Sequence, residues 1–152
     1  MRLLALAASA IALTACSPAP APVVQPAPDL TAAPWYGETT RQLKAITRDA
    51  AQLLKQGKPD PAAALITSAQ PLEARLLSAT HPTLSAMEAA SDLDRLYGRM
   101  LLSNRHYGWA RLAFQKDAVR WKNWRPQTEE SLRRFREAQA SVAECDRKMM
   151  EP

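Results

Sequence analysis

Proline is what most limits this chain, because six of its twelve prolines crowd into residues 17–34, SPAPAPVVQPAPDLTAAP. Each proline removes a backbone donor and fixes φ, so so dense a stretch sustains neither a helix nor a sheet ladder. It holds no glycine and a single charge, Asp29, and predicts an extended polyproline-like spacer. At about 3.1 Å per residue such a spacer reaches roughly 55 Å. The folded body is therefore expected over residues 35–152. Only four glycines serve the whole chain, which argues against barrels and sandwiches rich in tight turns and against glycine-rich nucleotide loops. Apolar residues make up 47% of 152 positions, enough for one modest core.

From Trp35 onward the apolar residues recur at helical spacing. Thr39-Thr40-Arg41-Gln42 has the form of a capping box, predicting the start of a first helix with Leu43, Ile46, Ala50 and Leu53 on its inner face. Gly57 is expected to stop it. Asp60-Pro61 reads as the cap and first turn of a second helix carrying Leu65, Ala69, Leu72 and Leu76, with Pro71 predicted to kink or divide it. After the His81-Pro82 break a third helix is expected from about Thr83 to Ser103, with Leu93, Leu96, Tyr97, Met100 and Leu101 inward. Asn104 is expected to cap a fourth, in which Ala110, Phe114, Ala118 and Trp121 share a face. Pro126 is expected to open a fifth, with Leu132, Phe135, Ala138, Val142, Cys145 and Met149 as its inward stripe. No alternating strand pattern of useful length occurs. The expected fold is all-α, with about five helices.

The N-terminus carries a different signal. Arg2 precedes a run of thirteen residues, Leu3 to Ala15, that is apolar but shorter than the roughly 20 needed to span a bilayer. It ends Leu13-Thr14-Ala15-Cys16, and here the chain resembles bacterial lipoprotein precursors, whose lipobox ends in cysteine. The resemblance implies a signal peptide over 1–15, diacylglycerylation of Cys16 and a tether over 16–34. Each buried CH₂ of an acyl chain contributes about 0.8 kcal/mol, so two or more chains anchor a protein stably. Ser17, in that family, is compatible with transfer to the periplasmic face of the outer membrane.

An internal repeat is also expected. Leu53 to Ala69, LLKQGKPDPAAALITSA, resembles the middle of a tetratricopeptide repeat, with Leu53 on one helix, Gly57 at the turn, and Ala62, Ile66 and Ala69 on the next. Gly98, Leu101, Tyr107, Ala110 and Phe114 resemble it a second time. The resemblance implies two antiparallel helix pairs with the fifth helix as cap. The chain departs from the family at its spacing, since Ala62 and Ala110 stand 48 residues apart where about 34 is usual. It departs again at Asp94, where tryptophan is expected, and at Asp117, where a small apolar residue is expected. Carried onto this chain, the family's concave partner-binding positions fall on Lys44, Arg95 and Arg99. Arg95 and Arg99 are four apart and share a helical face, so their guanidinium forks could grip a carboxylate of a protein partner.

No residues read as catalytic, and none imply a cofactor. His81 and His106 are the only histidines and form no metal-ligand spacing with cysteine. Asp92 with Asp94, and Glu129 with Glu130, point to different sides of a helix and do not converge on a substrate. Cys145 reads as a small buried hydrophobe, or as one half of an intermolecular disulfide. The chain is basic, at +5, and its cations and tryptophans crowd together in the fourth helix and the turn after it. Arg105, Trp109, Arg111, Arg120, Trp124 and Arg125 are therefore an alternative face for an anionic envelope polymer such as peptidoglycan or lipopolysaccharide. Nucleic acid is not an expected partner in the periplasm. The leading expectation is a lipid-anchored envelope scaffold that binds protein and is not an enzyme.

Overall fold

The computed structural model describes residues 29–151, and Cys16 with the signal-peptide and tether residues before Asp29 lies outside them. A short 3-10 turn, Leu30–Ala32, leads into five helices: α1 (Pro34–Lys55), α2 (Pro59–Leu77), α3 (Leu84–Ser103), α4 (Tyr107–Asn123) and α5 (Glu129–Met150). No strand occurs among the described residues.

The body begins earlier than residue 35. The Asp29 carboxylate accepts the Thr31 N–H at 2.9 Å, Leu30 packs on the core, and Pro34 sits in the first turn of α1, where its missing N–H costs nothing. Thr39 and Thr40 therefore do not cap α1; both are buried inside it, and Thr40 donates to the Tyr36 carbonyl at 2.9 Å. The extra turn buries Tyr36, whose hydroxyl accepts the Thr83 N–H at 3.3 Å. Helix α2 starts at Pro59, with Asp60 inside its first turn, and runs unbroken through Pro71. The proline ring is exposed while Ala69 and Leu76 on the other face are buried, with Glu73 and not the expected Leu72 as the buried residue between them, so the lost hydrogen bond does not divide the helix.

Two corners repeat the same device. At the end of α1, Lys58 N–H reaches the Leu53 carbonyl and Gly57 N–H the Leu54 carbonyl, both at 3.0 Å, with Gly57 at φ 71°. At the end of α3, His106 N–H reaches the Leu101 carbonyl at 2.9 Å and Arg105 N–H the Leu102 carbonyl at 3.1 Å, with Arg105 at φ 62°. Both are Schellman caps. Asn104 thus closes α3 and does not open α4, whose N-cap position is His106. The corners are 48 residues apart, the same interval that separates Ala62 from Ala110 and Ile66 from Phe114, all four buried. Pro126 likewise does not open α5. Thr128 does, through a reciprocal cap with Ser131 at 3.1 and 2.8 Å.

Side-chain pairs give the direction of each neighbour. Trp35 lies under Arg75, Trp121 meets Ser91, and Arg111 meets Asp146, so α1/α2, α3/α4 and α4/α5 run antiparallel. Tyr36 with Thr83, and Asp92 with Arg134, set α1, α3 and α5 parallel to one another. Helices α2 and α4 run parallel on the other side, joined by Glu73 and Arg120. The core lies between the two layers, with Leu43, Ile66, Leu76 and Leu93 at one end and Phe114 and Cys145 at the other.

Two stripes differ from expectation. In α4 the buried position beside Phe114 and Trp121 is Asp117, and Ala118 is only half-buried. In α5 the buried row is Ser131, Ala138, Ser141 and Cys145, while Leu132 and Met149 are exposed and Phe135 and Val142 half-buried. Helix α5 packs its apolar side chiefly on α4, with α3 reaching it mostly through ion pairs, and this covers less of α5 than its apolar arc could occupy.

Candidate functional site

The three expected partner-binding side chains come together. Lys44, Arg95 and Arg99 line one cleft of about 690 Å³ between α1 and α3, with Thr47, Arg48 and Asp92. The parallel course of these two helices brings this about: Lys44 Nζ donates to Ser85 Oγ at 2.9 Å, fixing their register. The guanidiniums are not idle, however. Arg95 pairs with Glu137 of α5 at 2.8 Å, and Arg99 with Glu144 at 2.7 Å while also donating to Ser141 Oγ at 3.1 Å. Arg99 further lies 5.4 Å from the Phe114 ring centroid. The acidic edge of α5 thus already presents carboxylates to both arginines. Asp92, the cleft's carboxylate, is taken by Arg134 at 2.8 Å. Arg48 lies 3.5 Å from its neighbour Asp49, so of the four lining cations only Lys44 has no carboxylate partner among the described residues, and a ligand carboxylate would have to compete with Glu137 and Glu144 for the two arginines.

The other face does not assemble. Arg120 is buried (its side chain is 6% exposed), inside a network with Glu73, Asp94 and Asp117. Arg111 is held by Asp146 at 2.5 Å, and Arg125 donates to the carbonyls of Lys122 and Trp124. Trp124 leans edge-on to the buried Trp121. Arg105 and Trp109 are exposed, but at the opposite end of α4. Arg120, Trp124 and Arg125 share one cleft of about 480 Å³ beside His81, but Arg105, Trp109 and Arg111 lie toward the other end of a helix about 25 Å long, so the six form no common surface.

The buried network itself was not legible from spacing. Arg120 Nη2 lies 2.8 Å from Glu73 and 2.7 Å from Asp94, and Lys116 Nζ lies 2.7 Å from Glu73 and 3.0 Å from Asp94. Asp117 has no exposed surface, and its Oδ2 has no hydrogen-bond donor. Burial pushes its carboxyl up to about 6, against the opposing pull of the Ser91 hydroxyl and Arg120. Burial and the Asp94 charge also raise Glu73. Asp94 and Asp117 are the two positions that departed from the repeat pattern, and they face the same arginine. That shared departure was the available signal. Here three carboxylates share two cations, Lys116 and Arg120, and the network ties α2, α3 and α4 together.

Cys145 is free and fully buried against Leu101, Ala110 and Phe114. Burial, with Glu144 and Asp146 adding to it, raises its thiol further from the thiolate form. His81 and His106 are both exposed. Among the described residues no helix is long and apolar enough to cross a membrane. Comparison with protein families, with curated proteins and with solved structures gave no match.

Proposed function

We propose that this protein is a lipid-anchored scaffold of the bacterial cell envelope whose helical-repeat body captures a protein partner in the α1–α3 cleft. The observation that carries the reading is the convergence of Lys44, Arg48, Arg95 and Arg99 on one cleft, with its Asp92 already neutralised by Arg134. Such a site suits an acidic segment or a free C-terminal carboxylate, which guanidinium groups grip through paired hydrogen bonds. The two corners in a 48-residue register support a repeat origin like that of tetratricopeptide proteins. Leu13-Thr14-Ala15-Cys16 supports acylation at Cys16, and Ser17 supports residence at the periplasmic face of the outer membrane.

Anchorage is tested by Cys16→Ser. The parent protein is expected in the detergent phase with an acylated N-terminal peptide by mass spectrometry, and the variant in the aqueous phase. An unmodified Cys16 in membrane-extracted protein would end that part of the reading.

The cleft is tested by capture from envelope extract on the immobilised full chain. Arg95→Ala with Arg99→Ala should weaken capture at least about tenfold, or about 1.4 kcal/mol, with helicity unchanged. Glu137→Gln with Glu144→Gln breaks the same ion pairs but keeps the cations, so it should leave capture intact or strengthen it. Equal losses in both double variants would mean that only the α3–α5 contact matters.

A further inference from the structure

Among the described residues, six of the seven large apolar side chains left exposed belong to α4 and α5: Trp109, Leu112, Val119, Leu132, Met149 and Met150. Leu112 and Val119 of α4 and Phe135 and Val142 of α5 line a groove of about 760 Å³, with Ala118 and Ala143 keeping it open. The groove runs between two antiparallel helices, the shape into which a third helix packs its ridge. From Leu112 to Lys122 the α4 wall rises about 15 Å, the length of roughly three helical turns.

Charge selects among occupants. The groove's one carboxylate, Asp146, is held by Arg111 at 2.5 Å, and Lys116 is engaged by Glu73 and Asp94. At the other end Lys122 is exposed, and exposed Arg136 stands one turn beyond Leu132 on the same face of α5. The nearby carboxylates Glu130, Glu137 and Asp92 are claimed by Arg133, Arg134 and Arg95. Lys122 and Arg136 have no carboxylate in ion-pair reach among the described residues. A second copy would have to meet this groove with its own α4–α5 face, where most of its exposed apolar side chains lie, and would bring its own Lys122 and Arg136 against these.

We propose that the α4–α5 groove docks an amphipathic helix of a partner protein, apolar toward Leu112, Val119, Phe135 and Val142 and acidic toward Lys122 and Arg136. This goes beyond the cleft reading and does not depend on it, because the groove uses none of Lys44, Arg95 or Arg99.

The test uses the full chain carrying Cys16→Ser, which leaves no acyl group to compete for an apolar surface. The probe is a fluorescent synthetic helix of about four turns, with leucines on one stripe and glutamates clustered near one end; its match has lysines in place of the glutamates. The acidic helix is expected to bind by fluorescence anisotropy, more weakly as salt rises, and the basic one at least about tenfold more weakly. Val119→Glu should reduce binding of the acidic helix at least about tenfold. Lys122→Glu with Arg136→Glu should reverse the preference between the two probes. Both sets change exposed positions, and circular dichroism checks that the fold persists. Lys44→Ala, which removes a cleft cation without touching α5, should leave this binding unchanged, so failure of the cleft and failure of the groove read out separately. Equal binding of both probes, or undiminished binding by Val119→Glu, would overturn the proposal. So would a dimer in sedimentation that Val119→Glu dissociates while neither probe binds, which would give the groove to a second copy.

Discussion

Arg120→Ala should destabilise the protein by about 3–5 kcal/mol, because it strips the shared cation from Glu73, Asp94 and Asp117 and leaves buried charge unpaired. Lys116 cannot replace it, being half-exposed and out of ion-pair reach of Asp117. Urea denaturation gives the loss as a fall in midpoint. Its pH dependence gives the cause. Asp117 is held at about 6 in the fold against an ordinary 3.8, so between these values the native state binds more protons than the unfolded chain. Stability from this group therefore falls as pH rises through that window, and the cost, about 3 kcal/mol, is complete above it. Glu73, raised in the same direction, adds to the slope. On the acid side Glu130, held at about 2 by hydrogen bonds from Arg133 and Arg134, contributes stability that is lost as pH falls through the range below 4.5. The parent protein should thus gain stability as pH falls from about 7 to about 4.5 and lose it below. Asp117→Asn should flatten the upper part of that curve. In Arg120→Ala the gain on acidification should be steeper, since protonation then relieves a larger penalty. A pH-independent loss would mean that Arg120 acts by packing alone.

Gly98→Val should cost about 1–3 kcal/mol, toward the top of that range. A Cβ built at Gly98 would stand 2.6 Å from Phe114 Cε1 and 2.8 Å from Cζ, and the ring, 1% exposed, has nowhere to retreat. Glycine ordinarily lowers helix stability by about 0.5–1 kcal/mol relative to alanine, so Gly98→Ala recovers part of its clash through propensity and should lose less. The valine variant has a smaller offset of this kind and two further methyl groups to place against the ring. Phe114→Leu, itself destabilising, should be partly compensating when combined with Gly98→Val. A double-mutant cycle should therefore give a favourable coupling of about 1 kcal/mol or more, measured by thermal or urea unfolding. Additive losses would show that the α3–α4 approach at Gly98 is not what sets the cost.

Much of this molecule was legible along the chain. The spacing of Leu43, Ala50 and Leu53, or of Leu93, Tyr97 and Leu101, reports a helix, because 3.6-residue periodicity is a local property. Gly57 marked its corner because only a residue tolerant of positive φ closes that cap cheaply, and Arg105 hid the equivalent corner by lacking that signature. Lys44, Arg95 and Arg99 line one cleft because α1 and α3 run side by side, with Lys44 against Ser85. Tertiary structure alone decided which part of an apolar stripe is covered. The α5 residues Leu132, Phe135 and Val142 have the same spacing signal as Ala138 and Cys145, yet only the latter pair is buried, while Val142 packs on the core with one side uncovered and Leu132 stays exposed. It also decided which charges are spent. Arg120 and Glu73 are 47 residues apart, as Lys116 and Glu73 are 43 apart, and no local pattern records such a pairing. Helix formation depends on neighbours one turn away, whereas the burial of a face or the neutralising of a charge depends on which other helix arrives against it.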